Sequence, residues 1–327
     1  MTESRQVQLV RRPRGVPVAE DFAVVPVSTL DAGQGEVQLQ TLLMSVDPYM
    51  RPRLDADQPL EAPLLGGGIA RVVQSRHDGF REGDLVRHMS GMRERFVSDG
   101  RGLTPLEAAA DLPLSVYMHA LGGTGITAYG GLLEVGALKD GEQVFVSTAG
   151  GAVGSVAAQI AKLKGCYVVG TTGSEDKAAW LRDVAGLDAV INYKAGPLAP
   201  ALKAATPKGI DVYFENVGGA HLDAALPRMN LRGRIPVCGM ISTYNGDREG
   251  VRNLSAMIYS RVRMEGFVAS DFGHLREQFE ADMTGWLKAG QIKYQETILD
   301  GFERAPEGLI GLFEGRNAGK MLIRVSD

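Results

Sequence analysis

Val144-Phe145-Val146-Ser147-Thr148-Ala149-Gly150-Gly151-Ala152-Val153-Gly154 is the stretch that decides the fold. It reads as a short apolar strand, a glycine turn and the start of a helix. From Ala149 the pattern is A-x-G-x-x-G, with alanine where the common form has glycine. Gly151 lets a backbone come close to a pyrophosphate, and Gly154 lets the helix pack against the strand. Ala152 and Val153 open a helix whose free N–H groups and partial positive charge suit an anion. A glycine motif alone is weak, because an ordinary tight strand-to-helix turn looks the same. Here the strand before it and "AVGSVAAQIAKLKG" after it supply the context that a dinucleotide site requires. That helix carries Val156, Ile160 and Leu163 on one face, with Gly165 as its stop.

The end of the following strand, "CYVVGTTG", discriminates between the nicotinamide coenzymes. A carboxylate there would bind a ribose 2′-hydroxyl and repel a 2′-phosphate. The strand instead ends in Thr172-Gly173-Ser174, and Glu175 and Asp176 fall in the first helical turn. Ser174 and the Lys177 ammonium suit a dianionic phosphate, which favours NADPH. Ser174 as a plain N-cap and Lys177 as a solvated helix residue fit the same spacing. Tyr193, at the end of "AVINY", faces the same phosphate or simply packs.

Further along, "IDVYFENVGG", "GRIPVCGMIS" and "RMEGFVAS" read, with "AVINY", as four more buried strands separated by helices. This alternation argues a doubly wound parallel sheet. Residues 1–118 have another texture: short strands such as "EVQLQTLLMSV" and "GGGIARVVQS", broken by Gly, Pro and Asp. From 292 the chain turns β again. The expected organisation is α/β, with a Rossmann-type doubly wound sheet over 119–291 inserted in a β-rich domain made of 1–118 and 292–327.

Composition agrees with a globular chain. Of 327 residues, 44% are hydrophobic and 23% charged, and the net charge of −4 argues against nucleic-acid binding. The Arg5/Arg11/Arg12/Arg14 cluster reads as a solvated strand flank. No apolar run is long enough for a membrane span, and the first residues lack a signal-peptide core. Two distant cysteines, Cys166 and Cys238, make no disulfide framework, so a cytoplasmic location is expected.

The ordered set of motifs resembles the medium-chain dehydrogenase/reductase superfamily over essentially the whole chain. Members that use a catalytic zinc keep a cysteine after an early strand and a Gly-His-Glu motif beyond it. This chain has "SVDPYMR" (45–51) at the first place and Gly66-Gly67-Gly68 at the second. Its five histidines do not fall at paired ligand spacing, so no metal is expected. The sharper resemblance is to the zinc-free prostaglandin reductase-like branch, which includes curcumin reductases and alkenal double-bond reductases. It rests on "VDPYMR" (46–51), "AGGAVGS" (149–155), Gly173-Ser174 with Lys177, "NY" (192–193), "ENVGG" (215–219), "CGMISTYN" (238–245) and "NAGK" (317–320).

The resemblance implies a GroES-like fold for the β-rich domain, a homodimer, and NADPH held by Ala149, Gly151, Ala152, Val153, Gly154, Gly173, Ser174, Lys177, Tyr193, Asn216, Cys238, Gly239, Ile241, Tyr244, Phe267 and Asn317. It implies hydride transfer to the β-carbon of a small hydrophobic enone, with the enolate stabilised by a coenzyme ribose hydroxyl and by tyrosine. Tyr244 is the first candidate donor and Tyr49 the second. Arg51 is left as a structural ion-pair partner. The proton for the α-carbon comes from a tyrosine or from water. Two other readings stay open here: a zinc-free quinone reductase, and an NADPH-binding protein without turnover. The segment 54–65 and "SAMIYSRVRMEG" are expected to shape the substrate pocket, with Met257 and Tyr259 either lining it or packing a helix.

Overall fold

The computed structural model describes residues 2–246 and 250–326. These fall into two compact units: one runs up to Met118 and includes Glu296–Asn317 and the segment from Met321, the other is His119–Gln295 with Ala318–Lys320.

The first unit starts with a hairpin, β1 (Thr2–Leu9) against β2 (Phe22–Thr29), paired antiparallel from Thr2↔Thr29 to Leu9↔Phe22. Of the basic cluster, Arg5 pairs with Glu94 at 2.6 Å and Arg11 with Asp21 at 2.8 Å. Next come β3 (Val37–Ser45), β4 (Gly68–Ser75), β5 (Leu85–His88), β6 (Arg95–Ser98) and β7 (Thr104–Pro105). β3 is buried along nearly its whole length because β4, β6 and a C-terminal strand all pair with it. After β3 the chain breaks at Asp47, where Pro48 disfavours helical geometry. It then winds into a short helix not anticipated from sequence, α1 (Met50–Ala56). Met50 and Leu54 enter the core. Arg51, only 2% exposed, pairs with Asp55 at 2.8 Å and donates to the Gly15 carbonyl at 2.9 Å.

The second unit opens with α2 (Gly123–Gly130). Its strands are β8 (Gln143–Val146), β9 (Tyr167–Thr172), β10 (Ala189–Asn192), β11 (Ile210–Phe214), β12 (Met229–Val237) and β13 (Arg263–Gly266). Between them lie α3 (Ala152–Leu163), α4 (Glu175–Asp183), α5 (Leu198–Ala205), α6 (Gly219–Ala225) and α7 (Ala256–Ser260), with α8 (Arg276–Lys288) after the last strand. All paired strands are parallel, in the order β10-β9-β8-β11-β12-β13. The winding therefore reverses between β8 and β11, the switch point where open α/β sheets bind ligands. One expectation is corrected: β10 and β13 are not buried strands. They are the two edges of the sheet; β10 is half-buried, and β13 keeps two glutamate- and glycine-bearing positions and Arg263 exposed.

The tail supplies β14 (Glu296–Asp300), α9 (Ala305–Glu314) and β15 (Lys320–Arg324). β15 pairs antiparallel with β3, Leu322 opposite Ser45. No helix among the described residues is long and apolar enough to cross a membrane.

Candidate active site

β8 ends at Val146, and the glycine turn follows. Thr148 adopts the left-handed backbone region at φ 49°, Ala149 N–H donates to Thr171 O at 2.8 Å, and Gly151 N–H donates to Thr148 O at 3.0 Å. A Cβ on Gly154 would lie 2.4 Å from Thr148 O and 3.0 Å from Ala149 Cα, so α3 seats against the turn only with glycine there. Ala149, fully buried, occupies the space above Gly170, whose own Cβ would meet it at 2.7 Å. Gly151 caps α3; Ala152 and Val153 are its first residues, whose N–H groups have no intrahelical acceptor. Two features outside the motif hold this turn. His119 Nε2 lies 3.1 Å from Ala152 O, and Gly319 N–H donates to Gly150 O at 3.1 Å. Asn317 stands two residues before that second tether.

The next group lies at the carboxyl ends of β9 and β10. A Cβ on Gly173 would meet Tyr193 Oη at 2.9 Å and Lys194 Cε at 3.2 Å, so these three positions are in contact. Ser174 does cap α4, accepting from Lys177 N–H at 3.5 Å, which leaves its own hydroxyl proton available. Lys177 packs under Gly150, and its ammonium pKa is lowered by burial and by neighbouring Lys194. Tyr193 meets His221 edge-on at 5.0 Å. Two ammonium groups, a capping serine and a tyrosine around an unblocked glycine fit a phosphate monoester. Lys194 was missed from sequence, since its relation to Lys177 arises only when β10 pairs with β9.

Beyond the switch point lies a buried polar knot. Ser147 and Glu215 each follow a strand end, one step past the Val146↔Phe214 pair. Ser147 Oγ donates to Glu215 Oε1 at 2.8 Å and accepts from Asn216 N–H at 2.8 Å; Asn216 Nδ2 donates to Ser147 O at 2.7 Å. Val217 N–H also donates to Glu215 Oε1, at 2.6 Å. Glu215 has no exposure, and burial raises its pKa. Its backbone carbonyl accepts from Cys238 N–H at 2.8 Å and Gly239 N–H at 3.2 Å, while Ile241 N–H donates to Asn216 O at 3.2 Å. The Cys238 thiol is pushed up to about 12 by burial and by Glu215. Tyr244 Oη accepts from Met240 N–H at 3.3 Å, and a Cβ on Gly239 would lie 3.1 Å from it. Burial raises the Tyr244 pKa, keeping the phenol protonated. The Phe267 side chain turns away among Phe214, Phe272 and Gly131, so only its backbone remains for a ligand.

The first unit carries Tyr49 at the start of α1. Burial of its hydroxyl, followed by the Asp47 charge, raises its pKa, and Arg53 one turn along opposes this. A pocket of about 370 Å³ adjoins Arg53 and is lined by Gln58, Pro59, Pro63, Leu65 and Met89 among others. Gln58 braces its wall, donating to the Pro59 and Pro63 carbonyls and accepting from Leu65 N–H. Segment 54–65 thus lines a cavity. Of the other segment, Met257 packs on the second unit's core and Tyr259 is 81% exposed, so Tyr259 serves neither a pocket nor a helix packing face. At the second place where zinc-dependent relatives bind metal, a Cβ on Gly67 would strike Met89 Sδ at 2.4 Å and His88 O at 2.8 Å. A ligand side chain does not fit there, and among the described residues no group of three or more His, Cys, Asp or Glu side chains could hold a metal ion.

A parallel sheet with a glycine turn at the end of β8 and a cationic group that fits a phosphate at the ends of β9 and β10 is the architecture of a dinucleotide-binding unit. Two family profiles match, the N-terminal domain of oxidoreductase over residues 5–106 and zinc-binding dehydrogenase over 152–289. The chain is 40% identical to the NADPH-dependent curcumin reductase of Escherichia coli (strain K12), covering 99% of this chain and 97% of that one. It is 42% identical to the 2-alkenal reductase (NADP(+)-dependent) of Nicotiana tabacum, covering 99% and 98%. The crystal structure of CurA in complex with NADPH from Vibrio vulnificus superposes with a TM-score of 0.92 at 40% identity, covering 99% of each chain. The chain belongs to the medium-chain dehydrogenase/reductase superfamily, in the zinc-free branch that holds curcumin, alkenal and prostaglandin reductases.

Proposed function

We propose that this protein reduces the carbon–carbon double bond of small hydrophobic α,β-unsaturated ketones and aldehydes, using NADPH. The similarity to a curcumin reductase and an alkenal reductase supports the substrate class. When bound, the coenzyme supplies the hydride for the β-carbon and a ribose hydroxyl toward the developing enolate. Gly151, Ala152, Val153 and Gly154 present backbone to its pyrophosphate; Gly173, Ser174, Lys177 and Tyr193, with Lys194, surround its 2′-phosphate. Asn216, Cys238, Gly239, Ile241 and the Phe267 backbone would hold the nicotinamide end, and Asn317 is assigned to the coenzyme on the resemblance.

The single observation that carries the mechanism is the state of Tyr244. Its oxygen already accepts from Met240 N–H, so its proton is the free polar element, and burial keeps that proton in place. A protonated phenol beside the strand ends is an oxyanion donor, and such donors are the main lever on an enolate-like transition state. Tyr49 is the second donor, with its pKa also raised. A homodimer belongs to the same proposal, supported by the open edge of β13 and the exposed Ile258 and Tyr259 nearby.

The test is a steady-state panel of aliphatic enones, alkenals and simple quinones with NADPH. Saturated ketone or aldehyde products are expected from the first two. Quinone turnover without enone turnover would replace this reading with a quinone reductase, and coenzyme binding without any turnover would remove the enzyme.

A further inference from the structure

The second unit has another pocket, at the opposite ends of its strands from the coenzyme residues. It measures about 460 Å³ and is lined by Ala137, Lys139, Arg232, Arg234, Arg261 and Arg263. Arg232 and Arg234 flank the midpoint of β12, Arg234 pairs with Arg263, the first residue of β13, and Ala137 and Lys139 precede β8. Ligands in open α/β sheets gather at the carboxyl ends, so this pocket is not part of the dinucleotide site.

The cations there divide into two kinds. Arg234 is committed: it clasps Glu142 at 2.9 and 2.5 Å and donates to the Gly136 and Ala137 carbonyls. Arg263 lies 3.5 Å from Glu265 and also donates to the Val135 carbonyl. Among the described residues, no ion pair is made by Arg232, Arg261 or Lys139, and all three are exposed. Three positive charges without an ion pair among the described residues thus line one pocket of a chain whose net charge is −4. Such local contrast raises the concentration of anions at the surface.

The backbone adds a second, independent observation. Among the described residues five non-glycines adopt positive φ, and three of them line this pocket: Ala137 at 44°, Arg232 at 62° and Arg261 at 50°. Arg261 caps the end of α7, a position where glycine is the usual residue. Glycine would serve the backbone better at each place, and strain of this kind concentrates where side chains are being aimed. The two strained arginines are the two that no carboxylate neutralises.

We propose that this pocket is a binding site for a polyphosphate group, either free pyrophosphate or the diphosphate of a nucleotide. Arg232, Arg261 and Lys139 contact the phosphoryl oxygens, while Arg234, fixed by Glu142, and Arg263 complete the positive wall. Several converging cations suit an anion of more than one charge, and the lining offers no aromatic face to select a base.

The experiment uses the full-length protein in its solution assembly, with NADP+ at saturation so that the coenzyme site is filled. Pyrophosphate is then titrated by calorimetry at low ionic strength, and ADP in a parallel run. One additional site per chain is expected. Tighter ADP than pyrophosphate identifies a nucleotide source and the reverse a free inorganic one; either ranking requires the site to exist. Arg232→Gly with Arg261→Gly relieves the backbone while removing two charge-assisted contacts. That double variant should melt no lower than the parent yet bind about tenfold or more weakly. Lys177→Ala, at the coenzyme end, should leave the added site intact. No heat beyond that of an equal ionic strength of sodium chloride, or binding unchanged in the double glycine variant, overturns the proposal.

Discussion

Replacing Tyr244 with phenylalanine separates chemistry from folding. Among the described residues the Tyr244 hydroxyl has one hydrogen bond, the 3.3 Å bond from Met240 N–H, a long neutral one. Losing it should cost about 1 kcal/mol of stability at most, a fall of about 2–4 °C in melting temperature for a domain of this size. The ring beside Gly239 is retained, so the KM for NADPH should not move. Turnover is another matter. If the phenol donates to the forming enolate, removing it should lower kcat by about 10²–10³-fold, or roughly 3 kcal/mol. The assay is NADPH oxidation with a saturating aliphatic enone, with melting followed in parallel. Tyr49→Phe, the second proposed donor, should show a smaller loss. A Tyr244→Phe enzyme with parental kcat on the enone, at any melting temperature, refutes the reasoning.

Two more outcomes follow from the same geometry. Lys177→Ala should raise the KM for NADPH by about tenfold or more while leaving that for NADH nearly unchanged, since a charge-assisted phosphate contact is lost only with the former; equal effects would remove Lys177 from the phosphate site. His88 and His221 are buried, and burial lowers each pKa from 6.5 to about 4, with Arg93 adding to the shift at His88. The unfolded chain therefore binds more protons than the folded one between those values. The stability that neutral burial provides is complete above about pH 6.5 and is withdrawn as pH falls towards 4, roughly 3 kcal/mol per group at the limit. Denaturant melts at descending pH check this, and His221→Gln should flatten part of the slope; a pH-independent midpoint across that window would contradict it.

The portions of the fold that could be read from sequence are those written locally. A strand, three glycine-turn positions and an amphipathic helix occupy one continuous run around residue 150, so each prediction there depended on neighbours a few residues away. The edge status of β10 and β13 is not local. Their apolar residues look like those of a buried strand, and only the order of six strands shows that each has a neighbour on one side. The same holds for the site. Ser174 and Lys177 sit one helical turn apart and were visible together, whereas Lys194 joins them through β9–β10 pairing. Ser147 looked like a strand end and Glu215 like part of a motif. The register of β8 on β11 turns them into the buried anchor of Asn216. His119, unassigned in the sequence, stands at the first turn of α3 for a similar reason. α1 escaped notice because seven residues after a proline turn carry too little periodicity to read.

The bond from Gly319 to Gly150 has a consequence for how the chain is made. Its two ends are separated by more than half the sequence, and β3 likewise waits for Leu322 and Ile323 to arrive beside Ser45 and Met44. On a ribosome the central strand of the first unit and the glycine turn are both made before residues 319–324, and neither has its full set of partners until those residues emerge. The nascent chain therefore carries an open strand edge through most of its synthesis, a form prone to pairing with the wrong neighbour.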